Sequence, residues 1–269
     1  MTNPILGTRI TELSGDAARP AYLLSDLHVP ANGGTVVAHL TAWLAMARAE
    51  RARMFMLGDL FDTYIAKAQV RVGIVREVAK QCLAAVSAGV ELTILHGNRD
   101  FLLGREFEQA SGARVVSGGV RVRLGAFDAL LLHGDELCVK DLPYQRAKRW
   151  LRSWPIRQLA RRLPLGLALR VANRARSQSE RVIKSGDQLR FDPTAAAIAA
   201  AFQSGAELLV FGHIHRPARG HFNAGQYCIL PAFDAGGVGI QICGAELRYV
   251  CCGKAGLAPV PDPGARTFP

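Results

Sequence analysis

The sequence predicts an α/β fold built around a parallel sheet, and three observations carry that prediction. Strand-length apolar segments alternate with helix-length ones. Asp, Asn and His follow directly on the strand segments, at the carboxyl ends where ligands gather in open α/β sheets. A hydrophobic content of 49% over 269 residues is enough for a full core. Element by element, residues 21–25 read as a buried strand and 35–50 as a helix, with Val36, Leu40, Leu44 and Ala47 on one stripe. Residues 53–57 form a second strand, 70–88 a second helix ended by Gly89, and 90–95 a third strand. This rhythm implies right-handed crossovers. A short helix is expected over 103–110. The segments 114–116, 120–124 and 129–132 then read as a smaller, more antiparallel set separated by glycine turns. An Ala-rich helix is expected over 194–203, started by Asp192-Pro193, followed by a strand over 207–211. Residues 216–250 read as short β segments making a second sheet. With four Pro and three Gly, residues 253–269 read as an irregular tail.

Composition excludes several classes. No uncharged apolar run reaches about 18 residues, the length that would suggest a membrane span. Residues 1–20 contain Arg9, Glu12, Asp16 and Arg19 without an apolar core, so they do not read as a secretory signal. Cys82, Cys138, Cys228, Cys243, Cys251 and Cys252 show no Cys-x-x-Cys spacing and read as reduced, buried thiols of a cytosolic protein. The net charge of +11 is concentrated in one place. Residues 140–184 hold thirteen Lys or Arg against Asp141 and Glu180, while the rest of the chain balances twenty bases with twenty acids.

Five motifs carry the chemistry: Asp26-Leu27-His28, Gly58-Asp59, Gly97-Asn98-Arg99-Asp100, His133-Gly134-Asp135 and Gly212-His213-Ile214-His215. Alone, an Asp-x-His is common and a Gly-Asp or Gly-Asn is usually a turn. In series, each behind a strand, they offer seven oxygen or nitrogen ligands and no thiolate, a set suited to two divalent metals. Asp26 and His28 share a side if extended geometry runs on past Ser25, and His213 and His215 do likewise. Asp59, behind an apolar run and a glycine, is the best candidate to bridge both ions. Asn98 offers a neutral oxygen and His133 a nitrogen. His39 reads as a surface residue, His221 as structural, and His96 as either packed or supporting a ligand.

These motifs, in this order, resemble those of the calcineurin-like metallophosphoesterases. The resemblance implies a four-layer αββα sandwich of two mixed sheets and in-line attack of metal-bound hydroxide on phosphorus. It implies one ion on Asp26, His28, Asp59 and His215, and a second on Asp59, Asn98, His133 and His213. Many phosphatases of this superfamily have a His where this chain has Arg99, thought to protonate the leaving alkoxide. Arginine cannot donate a proton at neutral pH but can fork onto phosphate oxygens. That favours diphosphate cleavage, whose leaving group needs no proton.

The longer strings His96 to Gly104, His133 to Cys138 with Asp141, Tyr144, Gln145 and Arg146, and Gly212 to Pro217 are similar to the UDP-2,3-diacylglucosamine hydrolases of lipid A biosynthesis. That resemblance implies cleavage at the α-phosphate to UMP and diacylglucosamine 1-phosphate, with two Mn2+ ions. It implies catalytic roles for Asp59, Asn98, Arg99 and His133, and substrate contacts from Asn98, Arg99, Asp141, Ser177, Lys184 and His213. After Phe61, where the family often has an acidic stretch, this chain has Asp62-Thr63-Tyr64-Ile65-Ala66-Lys67.

Residues 140–184 mix Arg with Trp150, Leu151, Trp154, Ile156, Leu159, Leu163 and Leu165, broken by Pro155 and Pro164. Bases beside apolar faces suit an anionic bilayer or a lipid-linked nucleotide sugar. A plain helical insertion and nucleic-acid binding are the competing readings, and no nucleic-acid motif accompanies the charge, so no nucleic-acid partner is expected. The expected organisation is a core over 1–139 and 191–252, a basic helical cap over 140–190, and a tail over 253–269. The expected location is cytoplasmic, peripheral on the cytoplasmic face of the inner membrane. The runner-up activity is hydrolysis of a soluble nucleotide or sugar diphosphate.

Overall fold

A computed structural model describes residues 5–151, 166, 192–253 and 256–268. The first half alternates strand and helix: β1 (Ile10–Leu13), β2 (Ala21–Leu24), α1 (Gly34–Glu50), β3 (Arg53–Met56), α2 (Gly73–Ser87), β4 (Glu91–Leu95), α3 (Arg105–Ser111) and β5 (Arg114–Val116). After β6 (Gly119–Leu124), β7 (Phe127–Leu131) and α4 (Leu142–Leu151), the described chain resumes with α5 (Ala195–Phe202) and β8 (Leu208–Phe211). It closes with β9 (Ala218–Phe222), β10 (Gly225–Ile229), β11 (Val238–Cys243), β12 (Glu246–Gly253) and β13 (Gly256–Pro259).

Two mixed sheets result. One runs β13-β12-β11-β2-β3-β4-β5 and the other β1-β6-β7-β8-β10-β9. The parallel pairs β2 with β3 and β3 with β4 form the predicted centre. Strand alternation sorts the side chains into three cores. Tyr22, Leu24, Met54, Met56 and Ile94 face α1 to α3. Ala21, Leu23, Phe55 and Leu95 face Val122, Leu131 and Val210 across the sandwich. Leu130, Leu209 and Phe211 face Ile198 and Ala201 of α5. The layers are therefore helix, sheet, sheet, helix, the four-layer αββα sandwich expected. Trp43 of α1 shows how tightly the outer layer is fixed: it is fully buried, edge-on to Tyr22, and its indole N–H donates to Gly237 O at 2.8 Å.

Several elements differ from expectation for identifiable reasons. The helix expected over 70–88 starts at Gly73, whose φ of 52° breaks the run and leaves a separate 3₁₀ turn at Lys67–Arg71. β5 pairs in parallel with β4, so it completes the first sheet and does not join an antiparallel set. The 216–250 region divides: β9 and β10 join β8, while β11 and β12 cross to the β2 side. The tail is not irregular throughout. β13 pairs with β12, Arg219 N–H donates to Gly264 O at 2.7 Å, and Phe268 is buried in the α5 core. Thr194, whose hydroxyl accepts from Ala197 N–H at 3.2 Å, caps α5 in place of the expected Asp192-Pro193 start. Among the described residues no helix is long and apolar enough to cross a membrane.

Candidate metal centre

All five motifs lie on loops beyond the carboxyl ends of β2, β3, β4, β7 and β8. The first two loops continue side by side after their strands stop: Asp26 N–H donates to Gly58 O at 3.2 Å, His28 N–H to Asp59 O at 2.9 Å and Val29 N–H to Leu60 O at 2.9 Å. Extended geometry does not run past Ser25 as expected. Asp26, His28, Asp59, His213 and His215 instead take φ values of 54°, 45°, 52°, 69° and 53°. Non-glycine residues rarely adopt this left-handed region, at a cost of about 1–3 kcal/mol each. The turns replace the extended run, and the side chains of the separate loops still meet in one cluster.

Side-chain anchors set the details. Asp26 Oδ2 accepts from Ser25 Oγ at 2.7 Å and His213 N–H at 2.8 Å, which leaves Oδ1 facing the cluster. Asp59 Oδ1 accepts from Arg99 N–H at 2.9 Å. Asp100 takes Gly97 N–H at 2.8 Å and Leu60 N–H at 2.7 Å, tying the third loop to the second. His96 reaches Leu103 O at 2.8 Å and holds the same loop from below, so it packs and supports at once. Backbones approach so closely that side chains are excluded. A Cβ on Gly97 would lie 2.0 Å from Asp59 Oδ1, and one on Gly212 would lie 2.3 Å from Asp26 Oδ2.

The ligand atoms form two overlapping groups. Those of Asp26, His28 and His215 lie within 4.8 Å of one another, as do those of Asp26, Asp59 and His133. His28 Nε2 is 3.4 Å from Asp59 Oδ2, and His215 Nε2 is 3.2 Å from Asp26 Oδ1. His133 Nε2 is 2.9 Å from Asn98 Oδ1 and 3.9 Å from Asp59 Oδ1, and its ring lies 5.1 Å from that of His213. Asp59 thus lies between His28 and His133. Asp26, assigned to one ion by the resemblance, also comes within reach of the second group. Asp26 Oδ1 and His28 Nε2 are buried and make no hydrogen bond of normal geometry. Buried polar groups left in this way are costly unless something else engages them. A divalent cation fits: the donors are oxygen and nitrogen, two carboxylates offset its charge, and the loose atoms point at one another.

The electrostatics agree. Burial opposes charge on His28, but the carboxylates of Asp234 and Asp59 outweigh it and raise its pKa to about 9. Burial likewise opposes charge on His133, and Asp59 and Asp26 raise it to about 9. His213 moves the other way, lowered to about 4 by burial and by the neighbouring His133. Burial and then Asp59 lift Asp100 to about 6. Asp59 itself is lowered against its burial by His133 and His28. Without metal, the carboxylates and imidazoles neutralise one another with protons that a metal would displace.

Arg99 lies at the rim, its guanidinium Nη1 2.7 Å from Asp62 Oδ1 and its Nε 3.5 Å from Asp59 Oδ2. It lines an open cleft of about 400 Å3 with His28, Asp62, His215 and Asp234. Asp141 is buried at the start of α4, accepting from Tyr144 N–H at 3.4 Å. Ser177 and Lys184 lie outside the described residues. Sequence reasoning gave no role to Asp62 or Asp234, nor to Tyr144, whose ring stacks 6.4 Å from that of His213. Asp62 lies three residues beyond Asp59, and an acid so close to a motif was a usable signal. Asp234 had none, because it reaches His28 from 206 residues away.

The calcineurin-like phosphoesterase family model matches residues 20–217. A UDP-2,3-diacylglucosamine hydrolase of Nitrosococcus oceani is 36% identical over 203 residues, covering 75% of this chain and 80% of that relative. The protein of that name from Ralstonia nicotianae is 30% identical over 225 residues, covering 80% and 84%. The one from Aeromonas salmonicida is 35% identical over 196 residues, covering 72% and 77%. With the sandwich, the loop positions and this level of identity in agreement, the chain belongs to the calcineurin-like phosphoesterases and groups among them with the UDP-2,3-diacylglucosamine hydrolases.

Proposed function

We propose that this chain is a two-metal hydrolase that cleaves the pyrophosphate bond of UDP-2,3-diacylglucosamine, giving UMP and 2,3-diacylglucosamine 1-phosphate in lipid A biosynthesis. The observation that carries this reading is the Gly97-to-Asp100 turn, which sets Asn98 against His133 and Arg99 beside Asp59. Relatives named for this substrate carry the choice among diphosphates. Asp26, His28, Asp59 and His215 hold one ion, and Asp59, Asn98, His133 and His213 hold the other. Bound divalent ions polarise the phosphate and make an attacking water acidic enough to act at neutral pH. Manganese is the ion this reading assigns, in keeping with oxygen and nitrogen donors.

The remaining work falls to the chain. Asp59, fixed by the Arg99 N–H, keeps the two halves of the centre in register. The Arg99 guanidinium, steadied by Asp62, forks onto the diphosphate and offsets charge gathering on the departing phosphate. That leaving group is stable as an anion, so an arginine serves where an alkoxide would need a proton donor. Asp141, Ser177 and Lys184 hold the nucleotide and the glucosamine. Of the expected cap over 140–190 on a core of 1–139 and 191–252, only residues 140–151 and 166 are among the described residues.

The segment 140–184 touches an anionic membrane, which sets the enzyme on the cytoplasmic face of the inner membrane. What supports this is α4. Leu142, Arg146, Trp150 and Leu151 are exposed at helical spacing, with Trp150 64% exposed. The other side of α4 is tied to the loop after His133, through Tyr144 Oη to Asp135 Oδ2 at 2.5 Å, Gln145 Nε2 to Asp135 O at 2.7 Å and Lys148 Nζ to Asp135 Oδ2 at 2.9 Å. The test is to incubate purified protein with Mn2+ and UDP-2,3-diacylglucosamine and to follow UMP. Metal-dependent release of UMP is the expected result. Turnover of soluble sugar diphosphates or dinucleoside polyphosphates, with no UMP from the lipid, would sink the substrate assignment.

A further inference from the structure

A ligand histidine works only if its ring is held with the correct nitrogen toward the metal, and the partner of the other nitrogen decides this. The two buried imidazoles of this centre are held by different groups. His133 Nδ1 faces the carbonyl of Leu57 at 2.8 Å, an uncharged acceptor at the end of β3 in the facing sheet. His28 Nδ1 faces a carboxylate, Asp234 Oδ2, at 3.1 Å. Since only an N–H can satisfy that oxygen, the bond places a proton on Nδ1 and turns Nε2 toward Asp26 and Asp59.

The support of Asp234 is rigid. It lies in a 3₁₀ turn, Phe233–Ala235, between β10 and β11. Phe233 is fully buried, and its N–H donates to the carbonyls of both Ser25 and Asp26 at 3.1 Å, so the turn is bonded to the backbone of the loop it serves. Gly237 N–H returns to Phe233 O at 2.7 Å, and Gly237 O takes the Trp43 indole. The Asp234 side chain is 43% exposed on the cleft wall, so it keeps its charge without the cost of burial.

We propose that Asp234 is a positioning residue that orients His28 and, by setting a carboxylate directly against the back of a ligand imidazole in that half, makes the His28–His215 side the tighter of the two metal positions. The inference rests on the two-metal reading above. Stepwise Mn2+ titration of the metal-free full-length protein tests it, by calorimetry, on the wild type and on Asp234→Ala and Asp234→Asn. The wild type should show two steps of unequal affinity. Asp234→Ala, which loses both orientation and charge, should weaken the tighter step by about 10–100-fold and leave the weaker one within about threefold. Asp234→Asn keeps an acceptor for the N–H without the charge, and should fall between the two. Melting of the metal-free variants should stay close to that of the wild type. If Asp234→Ala binds both ions like a two-step wild type, or weakens both steps equally, this inference fails while the two-metal reading stands. A wild type that takes up no Mn2+ removes both.

Discussion

Gly97→Ala is the substitution whose effect the structure predicts most directly. Gly97 does not have a positive φ, so its backbone is open to alanine and the cost is purely one of contact. The new Cβ would lie 2.0 Å from Asp59 Oδ1 and 2.2 Å from Asp59 N. Carbon and oxygen do not approach so closely, so the carboxylate and its loop must retreat by about 1 Å to reach an ordinary separation. That movement breaks the alignment of Asp59 with His28 and His133. Displacement of about 1 Å in a reacting centre costs roughly a hundredfold in turnover, and overpacking of this kind costs about 1–3 kcal/mol in stability. The assay is UMP release at saturating Mn2+, paired with thermal melting of the metal-free protein. Gly73→Ala is the control. It has a φ of 52° with nothing within 4 Å of the new Cβ, so it should lose about 1 kcal/mol of stability and no activity. If Gly97→Ala retains turnover within about twofold of the wild type, the loops are not packed as tightly as described and the argument fails.

Five further outcomes are expected. Asp59→Ala should reduce metal-dependent turnover to background while the chain still folds; substantial residual turnover would rule out a shared carboxylate. Arg99→His should lower diphosphate cleavage by about a hundredfold, and an unchanged rate would give Arg99 another role. His28 and His133 bind protons up to about pH 9 in the metal-free protein, so Mn2+ uptake at pH 7.5 should release about two protons, readable by calorimetry in buffers of different ionisation enthalpy. Their raised pKa values also stabilise the metal-free fold fully below about pH 6.5, and that contribution is lost as pH rises through 9, so metal-free melting temperatures should fall across this window. His215→Gly should be more stable than His215→Ala by about 1 kcal/mol, read as the higher melting temperature, because only glycine relieves the left-handed backbone at φ 53°; the reverse order would mean that the residue carries no strain.

The parallel centre was legible because its signals are local. In β2, β3 and β4 the apolar runs bury on both faces, and a ligand follows within three residues of each strand end, behind a glycine after β3 and β4. What escaped depends on partners distant in sequence. Residues 256–259 look unsuitable for a sheet because of Pro259, yet β13 lies at the edge, where a missing N–H is tolerated. The division of 216–250 between two sheets turns on Pro231 and Gly236-Gly237, which break the chain between β10 and β11 and send β11 across to β2.

The same crossing explains what could be read of the site and what could not. The five motifs name the ligand types because each loop must supply its own side chain. They do not give the orientation of those side chains, which comes from contacts between loops. His213 N–H fixes Asp26, Arg99 N–H fixes Asp59, and Asp100 joins the third loop to the second. The left-handed turns at Asp26, His28, Asp59, His213 and His215 are unreadable for this reason: Asp and His carry no local preference strong enough to select them, and only the stitching of neighbouring loops makes them the lower state. Asp234 is the extreme case. Its sequence context is an ordinary turn, and it acquires a function only because β11 pairs antiparallel to β2 and draws the preceding turn against the loop that carries His28. Motif spacing therefore identifies which elements carry candidate ligands, and the packing of loop on loop fixes which nitrogen of His28 and His133 faces the cluster.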